Sequence, residues 1–394
     1  MRIGLELLAE NPMMAKSWGN CLLLCNQASV TSNFKPAWEV AKEVLGNKLV
    51  GFFGPQHGFH STVQDNMIET DDGLGPYGLP VYSLYSDTRE PSEQMLEGAD
   101  TILIDIQIVG CRVYTFKYTI AACLRAAKKY GKKVVILDRP NPMGGRLVEG
   151  RVLELAAKSF VGEFEIPMRH GLTPAEAGLL FNKNINADLE IVKLEGWDSK
   201  GSWKETNREW VLTSPNLPTF DSVAVYPGTV IFEGTNVSEG RGTTLPFQFI
   251  GAPYIKDADK FVNRVKEYYD CKGVYYRPVE FMPTSQKWAN EVCYGTQLHV
   301  LDDQNIDSYK LGLALLYASI DLGGKEFKWK EAGYEYDYDN NPVDLILGKI
   351  GVNSDLMNKT IDFEDSFWSA GISKFISDAS SILIYDREQV INPY

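Results

Sequence analysis

Short apolar segments that alternate with helical patterns predict an α/β protein, with a Rossmann-like doubly wound parallel sheet and a second, smaller α+β domain. Three observations support this prediction. Strand-like segments rich in Val, Ile, Leu and Phe are separated by stretches long enough for a helix. Polar, glycine-rich clusters follow several of these segments directly. The pattern then changes near residue 248, where we place the boundary between the two domains.

Five apolar segments of the first half are the predicted strands of the parallel sheet. They lie at residues 21–26, 49–54, 80–84, 101–106 and 133–138. Helical patterns at residues 36–45 and 119–130 separate some of them. Because the segments are apolar throughout instead of alternating with polar residues, we expect parallel strands with helices packed on both faces.

A further helix has a well-marked start at Thr173, where Thr-Pro-Ala-Glu has the pattern of a capping box with proline at the first helical position. Glu176 is the acidic member of that box. Residues 165–168 and 189–194, on either side of this helix, are predicted to add strands. The first domain is therefore expected to span residues 1–248.

The second domain is expected to span residues 249–394 and to mix helices with strands. Its predicted elements are a helix at residues 258–269, strands at 274–281 and 296–301, and a helix at 309–321. Residues 325–344, rich in Asp, Tyr and Trp, have no regular pattern and are expected to be irregular.

Charge and composition exclude several classes of protein. The chain has 394 residues with 39 basic and 52 acidic side chains, a formal net charge of −13. Such a charge repels nucleic acid and anionic membrane surfaces, and we expect neither as a partner. No apolar run is long enough for a membrane span, and no signal peptide precedes the first strand. We therefore expect a cytoplasmic protein, or a periplasmic or exported one if the N-terminus was trimmed; the oligomeric state is left open.

Polar side chains follow the predicted strands at the points where these end. In open α/β sheets ligands bind outside the carboxyl ends of the strands, so these side chains should line one pocket. The candidates are His57, Asp105, Arg112, Tyr114, Asp138, Asn141 and His170. Asp105 and Asp138 could instead cap helices or form turns. Arg112 and Arg139 could pair with neighbouring aspartates or hold a ligand's carboxylate.

A second polar cluster, residues 233–244, contains Glu239 and Arg241 among several glycines. It is too polar for a core, yet it matches neither a P-loop nor Gly-x-Gly-x-x-Gly. His57 and His60 have no third ligand at a recognisable spacing, so we predict no metal. The patterns G-x-S-x-G and H-E-x-x-H of serine hydrolases and zinc proteases are absent.

Taken together, the segments resemble the NamZ-type exo-β-N-acetylmuramidases, from about residue 26 through at least residue 301. The motifs that carry the resemblance are, in order, CNQASV, GPQHGF, PVYSLY, DIQIVGCRVYTF, LDRPNPMGG, SFVG, IPMRHGLTPAE, SPNLPT, EGTNVSEGRGTTLPF and GAPYI. The resemblance implies a glycoside hydrolase that removes a terminal β-linked N-acetylmuramic acid from the non-reducing end of peptidoglycan fragments, and it implies no cofactor. A muramyl sugar or peptidoglycan fragment is then the expected partner.

One residue departs from that family. Where many members have Glu-His-Gly after the second strand, this chain has Gln56-His57-Gly58. Glutamine cannot donate a proton to the glycosidic oxygen, so another acid should serve, with Glu69, Asp105 and Asp138 as candidates. We expect Glu69 or Asp105 to be the general acid, and Asp138, His57 or Tyr114 to position water or steady the positive charge.

The remaining candidates are expected to bind substrate. They are Gln56, Arg112, Tyr114, Arg139, Asn141, His170, Glu239 and Arg241. N-acetylmuramic acid carries a carboxylate on its lactyl group, which suits the arginines. Two alternatives stay open: a non-catalytic protein that binds muropeptides or sugars in the same pocket, and a nucleotide-dependent sugar-modifying enzyme suggested by the Rossmann-like pattern alone.

Overall fold

Ten strands occur among the residues that this computed structural model describes, 1–65 and 67–387. They are β1 (Cys21–Leu24), β2 (Leu49–Gly54), β3 (Gly73–Leu74), β4 (Pro80–Ser83), β5 (Thr101–Ile104), β6 (Lys133–Leu137), β7 (Asp188–Val192), β8 (Phe249–Ala252), β9 (Val274–Phe281) and β10 (Cys293–Val300).

The same described residues form ten α-helices. They are α1 (Gly4–Glu10), α2 (Ala37–Leu45), α3 (Phe116–Tyr130), α4 (Pro174–Ile185), α5 (Phe220–Thr229), α6 (Ala258–Tyr268), α7 (Ser308–Gly323), α8 (Pro342–Leu347), α9 (Val352–Met357) and α10 (Ile372–Ala379). Short 3₁₀ helices connect several of them.

Seven strands form the main sheet in the order β3-β4-β2-β1-β5-β6-β7. All neighbours are parallel except β3, which runs antiparallel to β4 at the edge. The chain builds outward from β1 through β2 and β4, and then continues on the other side of β1 with β5, β6 and β7. A crevice is expected where this order reverses, at the carboxyl ends of the central strands.

Alternate residues of the central strands face opposite layers of helices, which confirms the doubly wound α/β prediction. Leu23 and Leu103 pack with α1 and α2 in one core. Leu22, Leu24 and Ile102 pack with α3 in the other. The strands are buried on both faces, as their continuous apolar sequence requires.

A smaller antiparallel sheet, in the order β8-β10-β9, lies in the second part of the chain. In its central strand β10, Cys293 lies opposite Phe281 of β9, and Tyr294 lies opposite Ala252 of β8. Helix α6 packs against β9 and β10, and α7 packs on α6, so the α+β prediction for the second part is confirmed in its composition. Strand β8 was not predicted.

Helix α5 packs against α7, although it precedes the predicted domain boundary at residue 248. The two helices cross closely at Gly228 and Gly312. A Cβ atom at Gly228 would lie 1.9 Å from the carbonyl oxygen of Ser308. This packing joins α5 to the second part of the fold, and we propose that the second domain begins there.

The strand predicted at residues 165–168 was wrong. These residues have no regular secondary structure, and their backbone bonds are local or single contacts, such as Leu153 N–H to the carbonyl of Ile166. The segment is apolar because Ile166 and Met168 fill the core, and a short apolar segment alone does not distinguish a strand from a buried loop.

All six cysteines are buried and free. Among the described residues, no helix has both the length and the apolar character that crossing a bilayer requires.

Candidate active site

A sharp turn after β2 begins the floor of a cleft at the carboxyl end of the main sheet. His57 and Gly58 both have left-handed backbone angles, with φ of 70° and 85°. The His57 ring is buried, with Nδ1 2.7 Å from the carbonyl oxygen of Val63 and Nε2 3.2 Å from the hydroxyl of Ser214. Burial lowers the pKa of His57 to about 4, so its imidazole is neutral near pH 7.

The side chain of Gln56 joins the floor to a carboxyl group from the second part of the chain. Its amide Nε2 donates to Glu335 Oε1 at 3.1 Å and lies 3.1 Å from the hydroxyl of Tyr85. The hydroxyl of Tyr85 donates to Glu335 Oε2 at 2.9 Å. On the other side, the hydroxyl of Thr115 donates to the amide oxygen of Gln56 at 2.5 Å. Both oxygens of Glu335 therefore accept hydrogen bonds from neutral groups.

Residues 330–341, here called the Glu335 loop, carry this carboxyl to the sheet. Paired backbone contacts between Tyr334 and Asp337 close the turn, and Glu335 and Tyr336 have positive φ values of 48° and 67°. The guanidinium of Arg89 lies between two rings, 4.3 Å from the centre of Tyr85 and 4.6 Å from that of Tyr336. These contacts place the loop over the cleft.

Burial raises the pKa of Glu335 to about 7. The hydrogen bond from Tyr85 opposes the rise because it favours the ionised form, whereas the negative charge of Glu233 adds to it. Glu335 is 3% exposed. In a large fraction of the protein molecules, the Glu335 carboxyl therefore carries a proton near neutral pH.

A second buried carboxyl, Glu233, lies in the same cleft in different surroundings. It accepts hydrogen bonds from Arg241 Nη2 and from the hydroxyl of Tyr334, both at 2.5 Å. A cation thus compensates the charge of Glu233.

Arg241 also lies near Glu239, whose carboxylate receives a hydrogen bond from Lys287 at 2.7 Å. Burial would raise the pKa of Glu239, but the charges of Lys287 and Arg241 outweigh it and hold the pKa below its usual value. Glu239 and Arg241, both predicted from sequence, belong to one network of charges at the mouth of the cleft.

The inner part of the cleft is almost filled by side chains. Its lining includes Gln56, His57, Tyr114, Thr115, Glu233, Arg241, Tyr334 and Glu335. Its free volume is about 30 Å³, room for about one or two water molecules. An outer mouth of about 220 Å³, which shares Glu233, Arg241 and Tyr334 with it, also exposes Lys330. This inner volume is too small for a sugar ring, whereas the outer mouth is several times larger.

Asp105 lies beneath this floor and not in its lining. Its carboxylate is fully buried and receives two hydrogen bonds from Arg139, at 2.6 and 2.7 Å. Both carboxylate oxygens of Asp105 are occupied by the guanidinium, and the residue has no exposed surface for substrate. The structure argues against the predicted proton-donor role of Asp105 and the predicted substrate contact of Arg139.

Asp138 supports helix α4. Its carboxylate accepts hydrogen bonds from the Thr173 hydroxyl, the Ala175 backbone N–H and the Tyr385 hydroxyl, at 2.9, 2.9 and 2.6 Å. Burial raises the pKa of Asp138 to about 7, but the group is 0% exposed. The alternative stated above, a capping carboxylate, fits these contacts better than a catalytic one.

The side chains of three more predicted binding residues form hydrogen bonds with backbone groups. Arg112 donates to the carbonyl oxygens of Arg151, Ile166 and Ile346. Asn141 bonds the backbone of Leu172 and Met143, and His170 Nδ1 accepts from the backbone N–H of Leu172. All three are at most 1% exposed, which argues against direct contact with substrate.

Glu69 lies at a different place on the surface. Its side chain is 48% exposed and lies 3.8 Å from Arg89. It lines a separate groove with Gly58, Phe59 and His60. Tyr114, by contrast, lines the cleft, so its contact with substrate stays a prediction.

Sequence reasoning missed three residues that complete the cleft from afar, Lys287, Tyr334 and Glu335, whereas Glu233 begins the second polar cluster that it singled out. Glu335 lies 279 positions from its partner Gln56, in a segment with no regular pattern. The one available signal was the substitution at Gln56 itself, which called for an acid elsewhere in the chain.

Comparison with known proteins is consistent with this geometry. Two family models cover the chain: the N-terminal part of exo-β-N-acetylmuramidase NamZ at residues 21–221, and its C-terminal part at residues 224–385. The peptidoglycan β-N-acetylmuramidase NamZ of Bacillus subtilis (strain 168) is 41% identical over 318 residues, which are 79% of this chain and 75% of that protein.

Two solved structures of DUF1343 family proteins from Bacteroides fragilis have the same fold. BF0371 superimposes with a TM-score of 0.87 at 27% identity, over 98% of this chain and 99% of the other. BF0379 has a TM-score of 0.74 at 26% identity, with the same coverage.

Proposed function

Because the chain belongs to the NamZ family of exo-β-N-acetylmuramidases, we propose that it is a glycoside hydrolase that removes a terminal, non-reducing β-linked N-acetylmuramic acid from peptidoglycan fragments. Its partner is a muramyl sugar or a peptidoglycan fragment. The site of this reaction is the cleft between the carboxyl end of the main sheet and the Glu335 loop.

The observation that carries this proposal is the pair of buried carboxyls in the cleft. Glycoside hydrolysis commonly uses two carboxyl groups whose surroundings give them opposite protonation states. Glu233 is paired with the Arg241 guanidinium, whereas Glu335 is held by the neutral groups of Gln56 and Tyr85. The two are close enough for the charge of Glu233 to affect the pKa of Glu335.

The mouth of the cleft supports the choice of sugar. N-acetylmuramic acid differs from N-acetylglucosamine by a lactyl ether that ends in a carboxylate. Arg241 and Lys330 both line the mouth, and the side chain of Lys330 is exposed, with Nζ 5.5 Å from the centre of the Tyr334 ring. A cation there can pair with the lactyl carboxylate. A neutral sugar lacks this ion pair and should bind less tightly.

The test is release of chromophore from a nitrophenyl β-N-acetylmuramide, with the corresponding β-N-acetylglucosaminide alongside. We expect turnover of the muramide and little or none of the glucosaminide. Saturable binding of the muramide without turnover would instead indicate a sugar-binding protein. Protection from unfolding by a nucleotide, but not by muramyl sugars, would indicate the nucleotide-dependent alternative.

A further inference from the structure

We propose that Glu335 is the proton donor of this enzyme and that the Glu335 loop brings it to the glycosidic oxygen, with Gln56 as the residue that positions it. This inference rests on the function proposed above and assigns its central residue. It also explains how a chain with glutamine at position 56 retains an acid at that place in the cleft.

The orientation of the Gln56 amide is set from its far side. The hydroxyl of Thr115 donates to Oε1 of Gln56, so the amide nitrogen must face Glu335 and Tyr85. That nitrogen donates to one oxygen of Glu335 while Tyr85 donates to the other. A carboxyl held at both oxygens has a defined direction, which general acid catalysis requires.

The surroundings of Glu335 also suit an acid that is protonated before reaction. Neither hydrogen-bond donor, Gln56 or Tyr85, carries a charge, so neither holds the carboxyl in its ionised form as strongly as a cation would. The charged or titratable groups around it in the cleft are Glu233 and Arg241 from the 233–241 segment, Tyr85 after β4, Tyr226 of α5, Tyr334 of the same loop, and His57, whose lowered pKa keeps it neutral. Burial dominates and raises the pKa of Glu335 to about 7.

None of the three acids expected from the sequence combines these features with a place in the cleft, although burial also raises the pKa of Asp138 to about 7. Asp105 is ion-paired with Arg139 and fully buried. Asp138 is fully buried among the groups that hold helix α4. Glu69 is half exposed beside Arg89 and lines another groove. Glu335 alone among these four carboxyls lines the cleft.

The proposed step balances as follows. The carboxyl of Glu335 gives its proton to the glycosidic oxygen while the bond from C1 to that oxygen breaks and its electron pair stays on the oxygen. One water molecule adds to C1 and loses one proton. That proton restores Glu335, so the net reaction consumes one water and releases two hydroxyl-bearing products.

The experiment compares two substrates in the purified full chain. A muramyl-glucosamine disaccharide has a poor leaving group that needs protonation, whereas a dinitrophenyl β-muramide has a leaving group that departs as an anion. In Glu335→Gln we expect kcat for the disaccharide to fall by about 10²- to 10⁴-fold, with a much smaller loss on the dinitrophenyl substrate and little change in KM. Glu331→Gln, the same change at an exposed position of the same loop, is the control and should keep wild-type rates on both substrates.

Three results would overturn the assignment: wild-type disaccharide rates in Glu335→Gln, equal losses on both substrates, or a selective disaccharide loss in Glu69→Gln but not in Glu335→Gln. Glu335→Asp guards against a folding artefact, because it keeps an acid and should retain measurable disaccharide turnover with a thermal transition like that of the wild type. If the wild-type enzyme itself fails to hydrolyse the disaccharide, the proposed function fails. If the wild type hydrolyses it and Glu335→Gln does so at the same rate, this inference alone fails.

Discussion

Arg139 binds Asp105 with two parallel hydrogen bonds, Nε to Oδ1 at 2.6 Å and Nη2 to Oδ2 at 2.7 Å, beneath the floor of the cleft. Asp105 follows β5 and Arg139 follows β6, so the pair joins the ends of two adjacent strands. The same arginine also donates to the carbonyl oxygen of Val30. The pair holds together the loops on which the cleft is built.

Asp105→Asn should therefore act on stability more than on chemistry. It leaves the Arg139 guanidinium buried without its counter-charge, which should cost about 3–5 kcal/mol in the free energy of unfolding. Urea denaturation measures this. Glu69→Gln, at an exposed position, should change that free energy by less than about 0.5 kcal/mol. A stable Asp105→Asn protein that has lost turnover would restore Asp105 as the acid.

Tyr85→Phe should shift the pH dependence of kcat/KM. Activity that needs a protonated Glu335 is present below its pKa, about 7, and is lost as the pH rises through it. The hydrogen bond from Tyr85 lowers that pKa, so its removal should move the descending limb to higher pH. The matched control is Tyr336→Phe, since the buried hydroxyl of Tyr336 bonds none of the described residues. A limb that moves to lower pH, or moves equally in both variants, contradicts the expectation.

Lys330→Met should weaken selection for the muramyl sugar. Removing the exposed cation at the mouth of the cleft should raise KM for the β-muramide by about three- to tenfold and leave kcat nearly unchanged. Initial-rate kinetics on the muramide measure the effect, and they should show a smaller loss at high salt, which already screens the charge. Lys328→Met, two positions away and also exposed, is the control. Equal KM values in the two variants would remove Lys330 from the binding site.

Thr173→Ala should destabilise the fold through the start of α4. The Thr173 hydroxyl receives the backbone N–H of Glu176 and itself donates to Asp138. Losing the cap should cost about 1–2 kcal/mol, seen as a lower midpoint in urea. Thr62→Ala, at an exposed position, should leave the midpoint in place. An unchanged midpoint in Thr173→Ala would mean that the Asp138 contacts alone hold the helix.

Local patterns in the sequence predicted most of the main sheet, because its strands are continuous apolar segments and its helices have recognisable starts. The capping box at Thr173 is confirmed, with both reciprocal hydrogen bonds present. Helix α3 begins at Phe116, three positions before the predicted start at 119, because Thr115 and Phe116 turn directly from the floor of the cleft into the helix.

The site was less predictable, for a physical reason. Strand ends located the floor, including Gln56, His57 and Tyr114, but did not distinguish side chains that face the cleft from those that face the core. Asp105, Asp138, Arg112, Asn141 and His170 all turned inward to satisfy buried backbone groups or charges. Glu335 reaches the floor through tertiary packing of an irregular loop, which no local pattern encodes.

Glu176, the acidic end of the α4 cap, also receives the Arg387 guanidinium and the backbone N–H of Ile384, from 211 and 208 positions away. Tyr385 reaches Asp138 in the same way. During synthesis on the ribosome, the start of α4 and the end of β6 therefore lack these contacts until the last part of the chain has been made. Folding of the parallel sheet is thus finished by a distant part of the chain, so a nascent polypeptide that stalls earlier exposes an incomplete core to chaperones and proteases.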